Sequence, residues 1–112
     1  SKLSACITET IEDMEQNELI GPIVSHAGDG NFHVALLIDK NNKTELDKLD
    51  EFLVRISERA IRMDGTCTGE HGVGQGKRKY MLKELGNAVN VMKSVKEAFD
   101  PHKIMNPGKL FL

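Results

Sequence analysis

The sequence predicts an α+β fold, and three observations carry it. Apolar residues recur at helical spacing in several stretches, two strand-like runs flank an Asp-Gly pair, and a glycine-rich segment separates the long central helix from the last ones. The expected order is helix, two strands, helix, glycine-rich segment, helices, with no repeats or low-complexity tracts.

Leu3, Ile7, Ile11 and Met14 follow a helical period and predict an amphipathic helix over residues 2–17. Gly21 and Pro22 in "NELIGP" break it, because proline has no N–H to continue the ladder. Residues 23–27 and 31–38 are short apolar runs on either side of Gly28-Asp29-Gly30, and "NFHVALLI" reads as a strand. "DKNNK" is a polar loop. Thr44 is expected to cap a long helix, supported by Asp47 three residues on. Its inward stripe is Leu46, Leu49, Leu53, Ile56, Ala60 and Met63, and Gly65 is expected to stop it. Residues 66–76, "TCTGEHGVGQG", hold four glycines in eleven positions and sustain neither period. A basic helical start is expected at 77–84. A further helix at 87–98 turns Ala88, Val91, Met92, Val95 and Ala98 inward, and "FDPHKIMNPGK" is a structured tail broken by Pro101 and Pro107.

With 112 residues the chain suffices for one small domain, and with no Trp and one Tyr its core must be aliphatic. Aromatic residues are too few for a base-stacking surface, so nucleic acid is not expected as a partner. No apolar run approaches the ~18 residues of a membrane span, and no presequence is recognisable. Cys6 and Cys67 form no disulfide framework or metal-ligand spacing. Charge is uneven: residues 1–71 carry 7 basic and 14 acidic side chains, residues 72–112 carry 8 and 3. The basic half can face an anionic ligand or simply be a solvated surface. The opening "SKLSACITET" starts within a helical pattern and reads as a piece of something longer.

The stretch "SHAGDGNFH" places a histidine on each side of the glycine turn. With Asp29-Gly30 as a two-residue turn, Gly28 faces Asn31, Ala27 faces Phe32 and His26 faces His33. Directly opposed side chains share a face, with Cβ atoms about 4.5–5.5 Å apart. Two imidazoles held that way can chelate one divalent cation, although a solvated His pair needs no function. Two ligands alone bind weakly, so a third is to be sought, and a carboxylate completing a His₂Glu set with an open position marks a catalytic site. Glu70 and His71 are the candidates; one can ligate while the other stays free as a base. Phosphate-loop readings of the glycine segment fail. His71 stands where a Walker A loop needs Gly, Arg78 where it needs Ser or Thr, and Gly72, Gly74 and Gly76 read GxGxG.

"HAGDGNFH", then "GTCTGEHGVGQGKR", then "FDPHKIMNPGK" together resemble the C-terminal part of FAD-linked D-2-hydroxyacid dehydrogenases. That family includes D-lactate dehydrogenase (cytochrome), the glycolate oxidase flavoprotein subunit and D-2-hydroxyglutarate dehydrogenase. "TCTGEHG" most resembles the mitochondrial D-lactate branch. The resemblance covers essentially the whole chain and implies the second half of a cap domain, an antiparallel sheet with helices packed on one face. Residues 1–112 are then a partial cap, with the N-terminal FAD-binding domain absent.

Carried over residue by residue, the resemblance puts a divalent metal, Zn or Mn, on His26, His33 and Glu70. It makes His71 the catalytic base and Asn106 a possible cofactor contact. Asp29 and Asn31 are candidates to orient the hairpin or a ligand histidine, with a purely turn-forming role as the alternative for Asp29. The implied parent oxidises D-lactate to pyruvate with FAD as hydride acceptor and passes electrons to an acceptor such as cytochrome c. Localisation is mitochondrial if the source is eukaryotic and otherwise cytoplasmic. The fragment alone is expected to be inactive. Alternatives are the hydroxyglutarate or glycolate enzymes, a non-catalytic metal-binding module, and an anion-binding domain built on Lys77, Arg78 and Lys79.

Overall fold

The computed structural model describes residues 2–111. It contains four α-helices and a two-stranded antiparallel sheet among those residues, the α+β composition expected. The chain divides into two compact units, Ser1–Gly65 and Thr66–Leu112.

In the first unit, helix α1 (Leu3–Gln16) packs against helix α2 (Lys43–Arg62). The inward face of α1 differs from the apolar stripe expected. Cys6, Thr10, Asp13 and Met14 are buried, whereas Ile11 is 43% exposed. The cause lies on α2, whose Arg55 and Arg59 both reach the Asp13 carboxylate. Arg55 Nε donates at 2.9 and 3.1 Å and Arg59 Nη2 at 2.5 Å. Arg59 Nη1 also donates to Thr10 Oγ1 at 3.0 Å, and the Thr10 hydroxyl donates to Cys6 O at 2.7 Å. The guanidinium pair draws the polar face of α1 inward, because a buried carboxylate needs charged partners to offset its desolvation. Lys48 completes the seam at the other end, donating to Asn17 O at 3.2 Å and pairing with Glu18 at 3.1 Å. A cation on the last carbonyls complements the helix dipole. On α2 the fully buried residues are Phe52 and Ser57; Leu53, expected inside, is 41% exposed.

The helix ends also differ from expectation. Asn42, not Thr44, caps α2: its Oδ1 accepts from Thr44 N at 3.0 Å and Glu45 N at 3.4 Å. Its Nδ2 donates to Glu45 Oε1 at 3.0 Å, and Glu45 Oε2 accepts from Asp39 N at 2.7 Å. Asn42 is extended (φ −94°, ψ 103°), the conformation in which a short side chain reaches the second and third helical N–H groups. At the far end Asp64 takes the left-handed position (φ 60°), and Gly65 N donates back to Ala60 O at 2.9 Å. This is a Schellman closure with Asp64 in the seat commonly held by glycine.

Strands β1 (Ile23–His26) and β2 (Asn31–Val34) pair antiparallel. β2 is shorter than the predicted 31–38. The ladder nevertheless continues in its bonding, with Ala35 N donating to Pro22 O at 3.0 Å and Leu37 N to Ile20 O at 2.8 Å. Gly21 is required here: a Cβ would lie 2.9 Å from the Ala35 carbonyl carbon and from Leu36 Cα.

In the second unit a 3₁₀ turn (Gly69–His71) is followed by another (Arg78–Tyr80) that runs into helix α3 (Met81–Leu85). Helix α4 (Ala88–Phe99) then leads to the tail. The core of this unit is small: Cys67, Tyr80, Met81 and Val89. The α4 stripe expected to face inward is instead largely exposed, with Val91 66% and Val95 52% accessible, while Val89 is buried. Together with Met92, Leu110 and Phe111 the exposed stripe lines an apolar groove. The tail is pinned at Asp100, whose buried carboxylate accepts from Ile104 N at 2.9 Å, Met105 N at 3.0 Å and the Lys96 ammonium.

Candidate functional site

The hairpin register corrects the sequence expectation. His26 pairs with Asn31 and His33 with Val24, two residues away from the direct His26–His33 opposition predicted. A two-residue turn of the kind predicted demands positive φ at both Asp29 and Gly30, and only Gly30 has it (φ 71°). The chain instead makes a right-handed turn over Ala27–Asp29 and closes with Gly30 in the left-handed region. That loop suits an L-aspartate, and Gly30 N donates to Ala27 O at 3.3 Å within it. The slip is two residues, and side chains alternate with period two, so the face is preserved. His26 and His33 are diagonal neighbours on one face, with ring centroids 5.3 Å apart and planes at 89°. Ligand nitrogens around a tetrahedral zinc are about 3.3 Å apart, given Zn–N near 2.0 Å, so small side-chain rotations bring this pair onto one ion. Ser25 Oγ donates to Asn31 O at 3.0 Å across the hairpin.

In the second unit Glu70 and His71 lie in the exposed 3₁₀ turn, with His71 Nε2 3.6 Å from Glu70 Oε1. Gly69 and Gly72 on either side both have positive φ (50° and 74°), the backbone freedom for which the glycines are needed. The tail crosses this segment: Leu110 N donates to Gly74 O at 2.8 Å and Arg78 Nη1 to Gly108 O at 3.0 Å. Asn106, at φ 47°, sits in the exposed turn of that tail.

Glu84 was not singled out by sequence. It lies on α3 and holds the start of the glycine segment, accepting from Cys67 N at 3.1 Å. Burial pushes the Glu84 carboxyl up, but hydrogen bonds from the Thr66 hydroxyl and from the Cys67 N–H and thiol, with the charge of Lys77, hold it below the usual carboxylate range. The same contact, after burial itself, pushes the Cys67 thiol up to about 11, which keeps it protonated and unreactive at neutral pH. The sequence offered one faint signal for Glu84: it is one of three acidic residues after position 71.

Among the described residues no helix is long and apolar enough to cross a membrane. Residues 1–110 match the family described as FAD linked oxidases, C-terminal domain. The chain is 47% identical over 111 residues to a probable mitochondrial D-lactate dehydrogenase of Danio rerio, covering 98% of this chain and 22% of that protein. It is 47% identical over 112 residues to the mitochondrial D-lactate dehydrogenase [cytochrome] 1 of Saccharomyces cerevisiae, covering 99% and 19%. A glycolate oxidase subunit of Bacillus subtilis is 46% identical over 87 residues, covering 77% and 18%. The chain therefore spans about one fifth of the length of the relatives it matches. With its hairpin histidines, its Glu-His turn and its Asn-Pro-Gly-Lys tail all falling within the matched region, this chain belongs to the C-terminal domain family of the FAD linked oxidases.

Proposed function

We propose that this chain is the metal-holding, substrate-facing part of a flavin-dependent D-2-hydroxyacid dehydrogenase whose substrate is D-lactate. The observation that carries this reading is the hairpin, which turns two imidazoles to one face with their rings 5.3 Å apart. By residue type we assign His26, His33 and Glu70 as the ligands, a His₂-carboxylate donor set suited to Zn or Mn with a position left open for substrate. The relatives named as D-lactate dehydrogenases support lactate as the substrate, and "cytochrome" in the yeast name supports a cytochrome as electron acceptor. Their names also support a mitochondrial location. Similarity to a glycolate oxidase subunit keeps glycolate as the second substrate to test.

In the bound state the metal supplies a Lewis acid and the FAD a two-electron acceptor. The chain's own residues do the rest. His26, His33 and Glu70 fix the position at which the substrate's carboxylate and α-hydroxyl are oriented. His71 accepts the hydroxyl proton as general base from its exposed, glycine-flanked turn. Asn106 contacts the cofactor from the tail. Because the chain spans about one fifth of its relatives, we assign most of the flavin site, and turnover itself, to a longer protein and not to this chain alone.

The test uses the full-length flavoenzyme. His26→Ala combined with His33→Ala is expected to lose bound metal and D-lactate-dependent flavin reduction together. His71→Gln is expected to keep its metal while reduction slows on the order of 10²–10⁴-fold, the usual contribution of a positioned base. Stoichiometric metal in the double-histidine variant rules out the ligand set, and near-normal reduction by the His71 variant rules out the base. Faster reduction by glycolate than by D-lactate overturns the substrate assignment.

A further inference from the structure

We propose that Glu84 is the positioning residue of the Glu70–His71 turn, a role that rests on the functions proposed above for those two residues. Three donors from two consecutive residues converge on its carboxylate: the Thr66 hydroxyl, the Cys67 N–H at 3.1 Å, and the Cys67 thiol. Thr66 is tied in turn to Thr68, the two hydroxyls lying 2.9 Å apart, with Thr68 N donating to Thr66 Oγ1 at 3.3 Å. Cys67 is buried, 8% exposed, so this end of the loop is a fixed point from which the exposed Gly69–His71 turn extends.

The glycine-rich segment cannot supply this order itself. From residue 69 to 76 it has four glycines, and its backbone conformational freedom opposes a fixed side-chain geometry. At its other end the segment is held by Leu110 N on Gly74 O and, through Arg78, by Gly108 O. The Glu84 anchor lies two residues before the 3₁₀ turn that begins at Gly69, and the Gly74 anchor follows His71 by three. Between them the turn is short enough for the anchors to set where Glu70 and His71 point. The contacts that define the role of Glu84 are those to Thr66 and Cys67. It acts through the loop, as residues that orient metal ligands from behind do elsewhere.

The experiment compares Glu84→Gln and Glu84→Ala with wild type in the full-length flavoenzyme. Three quantities are read: zinc affinity by chelator competition, the limiting rate of flavin reduction by D-lactate at saturating zinc, and the D-lactate concentration giving half that rate. Glu84→Ala is expected to bind zinc about tenfold more weakly and to reduce its flavin about tenfold more slowly, at the low end of the effect of such supporting residues. Half-saturation and flavin content are expected to stay at wild-type values. Glu84→Gln keeps the side chain's volume and an oxygen for the Cys67 N–H, so it is expected to fall between Ala and wild type; should the alanine variant fail to fold, Gln decides.

Wild-type zinc affinity and rate in both variants overturn the proposal. So does a rate loss that vanishes when expressed per flavin-loaded molecule, since that is a fold defect only. A His71→Gln enzyme run alongside separates the two levels. If it reduces its flavin at the wild-type rate, the base assignment has failed, and the zinc affinity alone then decides the role of Glu84.

Discussion

Replacing Asp13 by Asn removes one charge from the most heavily bonded carboxylate of the first unit without changing its shape. Asp13 is 7% exposed and faces Arg59, 10% exposed, at 2.5 Å and Arg55, 34% exposed, at 2.8 Å. Removing one partner of a buried ion pair typically costs about 3–5 kcal/mol, because the cation left behind stays desolvated. Two features bring the expectation here to about 2–4 kcal/mol: Arg55 is open enough for water to replace its partner, and the Asn oxygen still accepts one hydrogen bond. Arg59 keeps a second anion, Glu9, at 3.5 Å, which also limits the loss. For a chain of this size that corresponds to a fall in Tm of roughly 8–17 °C.

The effect must depend on pH with a definite sign. Burial pushes the Asp13 carboxyl up, but hydrogen bonds and charge from Arg55 and Arg59 outweigh it and hold the carboxyl below its ordinary value. A depressed folded-state pKa contributes stability that is complete above the unfolded value, near 3.9, and is lost as pH falls through the folded one. Wild type and Asp13→Asn should therefore differ fully at pH 7 and converge as the medium is acidified through and below pH ~4. Urea unfolding followed by circular dichroism at pH 7, 5 and 3 measures this directly. A pH 7 difference below about 0.5 kcal/mol would make the network a surface feature with no structural weight. A difference that persists unchanged at pH 3 would show that the charge was not its origin.

Two further outcomes test the hairpin and the long helix. Gly21→Ala should disrupt pairing on the approach to β1, since its Cβ would lie 2.9 Å from the Ala35 carbonyl carbon; a loss of more than about 2 kcal/mol is expected, and a neutral variant in the same urea assay refutes the close approach. Asn42→Ala should cost about 1 kcal/mol and fray the first turn of α2, read as faster amide exchange at Thr44 and Glu45, whereas Thr44→Ala should cost much less. The reverse order would restore Thr44 as the cap.

Much of this protein is determined locally and can be read from sequence. The helical periods set where α1, α2 and α4 lie, to within a residue or so of Leu3–Gln16, Lys43–Arg62 and Ala88–Phe99. The hairpin follows from the glycine pair around Asp29, of which Gly30 takes the left-handed conformation that closes the turn. That His26 and His33 share a face followed from strand alternation, and it survived the two-residue error in register because parity depends only on odd or even spacing. Glu70 and His71 stood out because charged and ionisable side chains are rare within glycine runs.

Tertiary structure decided what local pattern cannot encode. Which face of α1 is buried depended on Arg55 and Arg59, forty or more residues away, whose guanidinium groups require the Asp13 carboxylate more than the core requires Ile11. The register was set by the turn's conformation: Ala27–Asp29 coil right-handed and only Gly30 is left-handed, so the loop spans four residues and not two. The role of Glu84 came from a contact to Cys67 across seventeen positions. Periodicity reports a residue's preference for apolar or polar surroundings. It carries no information on which distant partner supplies them, and for a buried charge that partner determines the outcome.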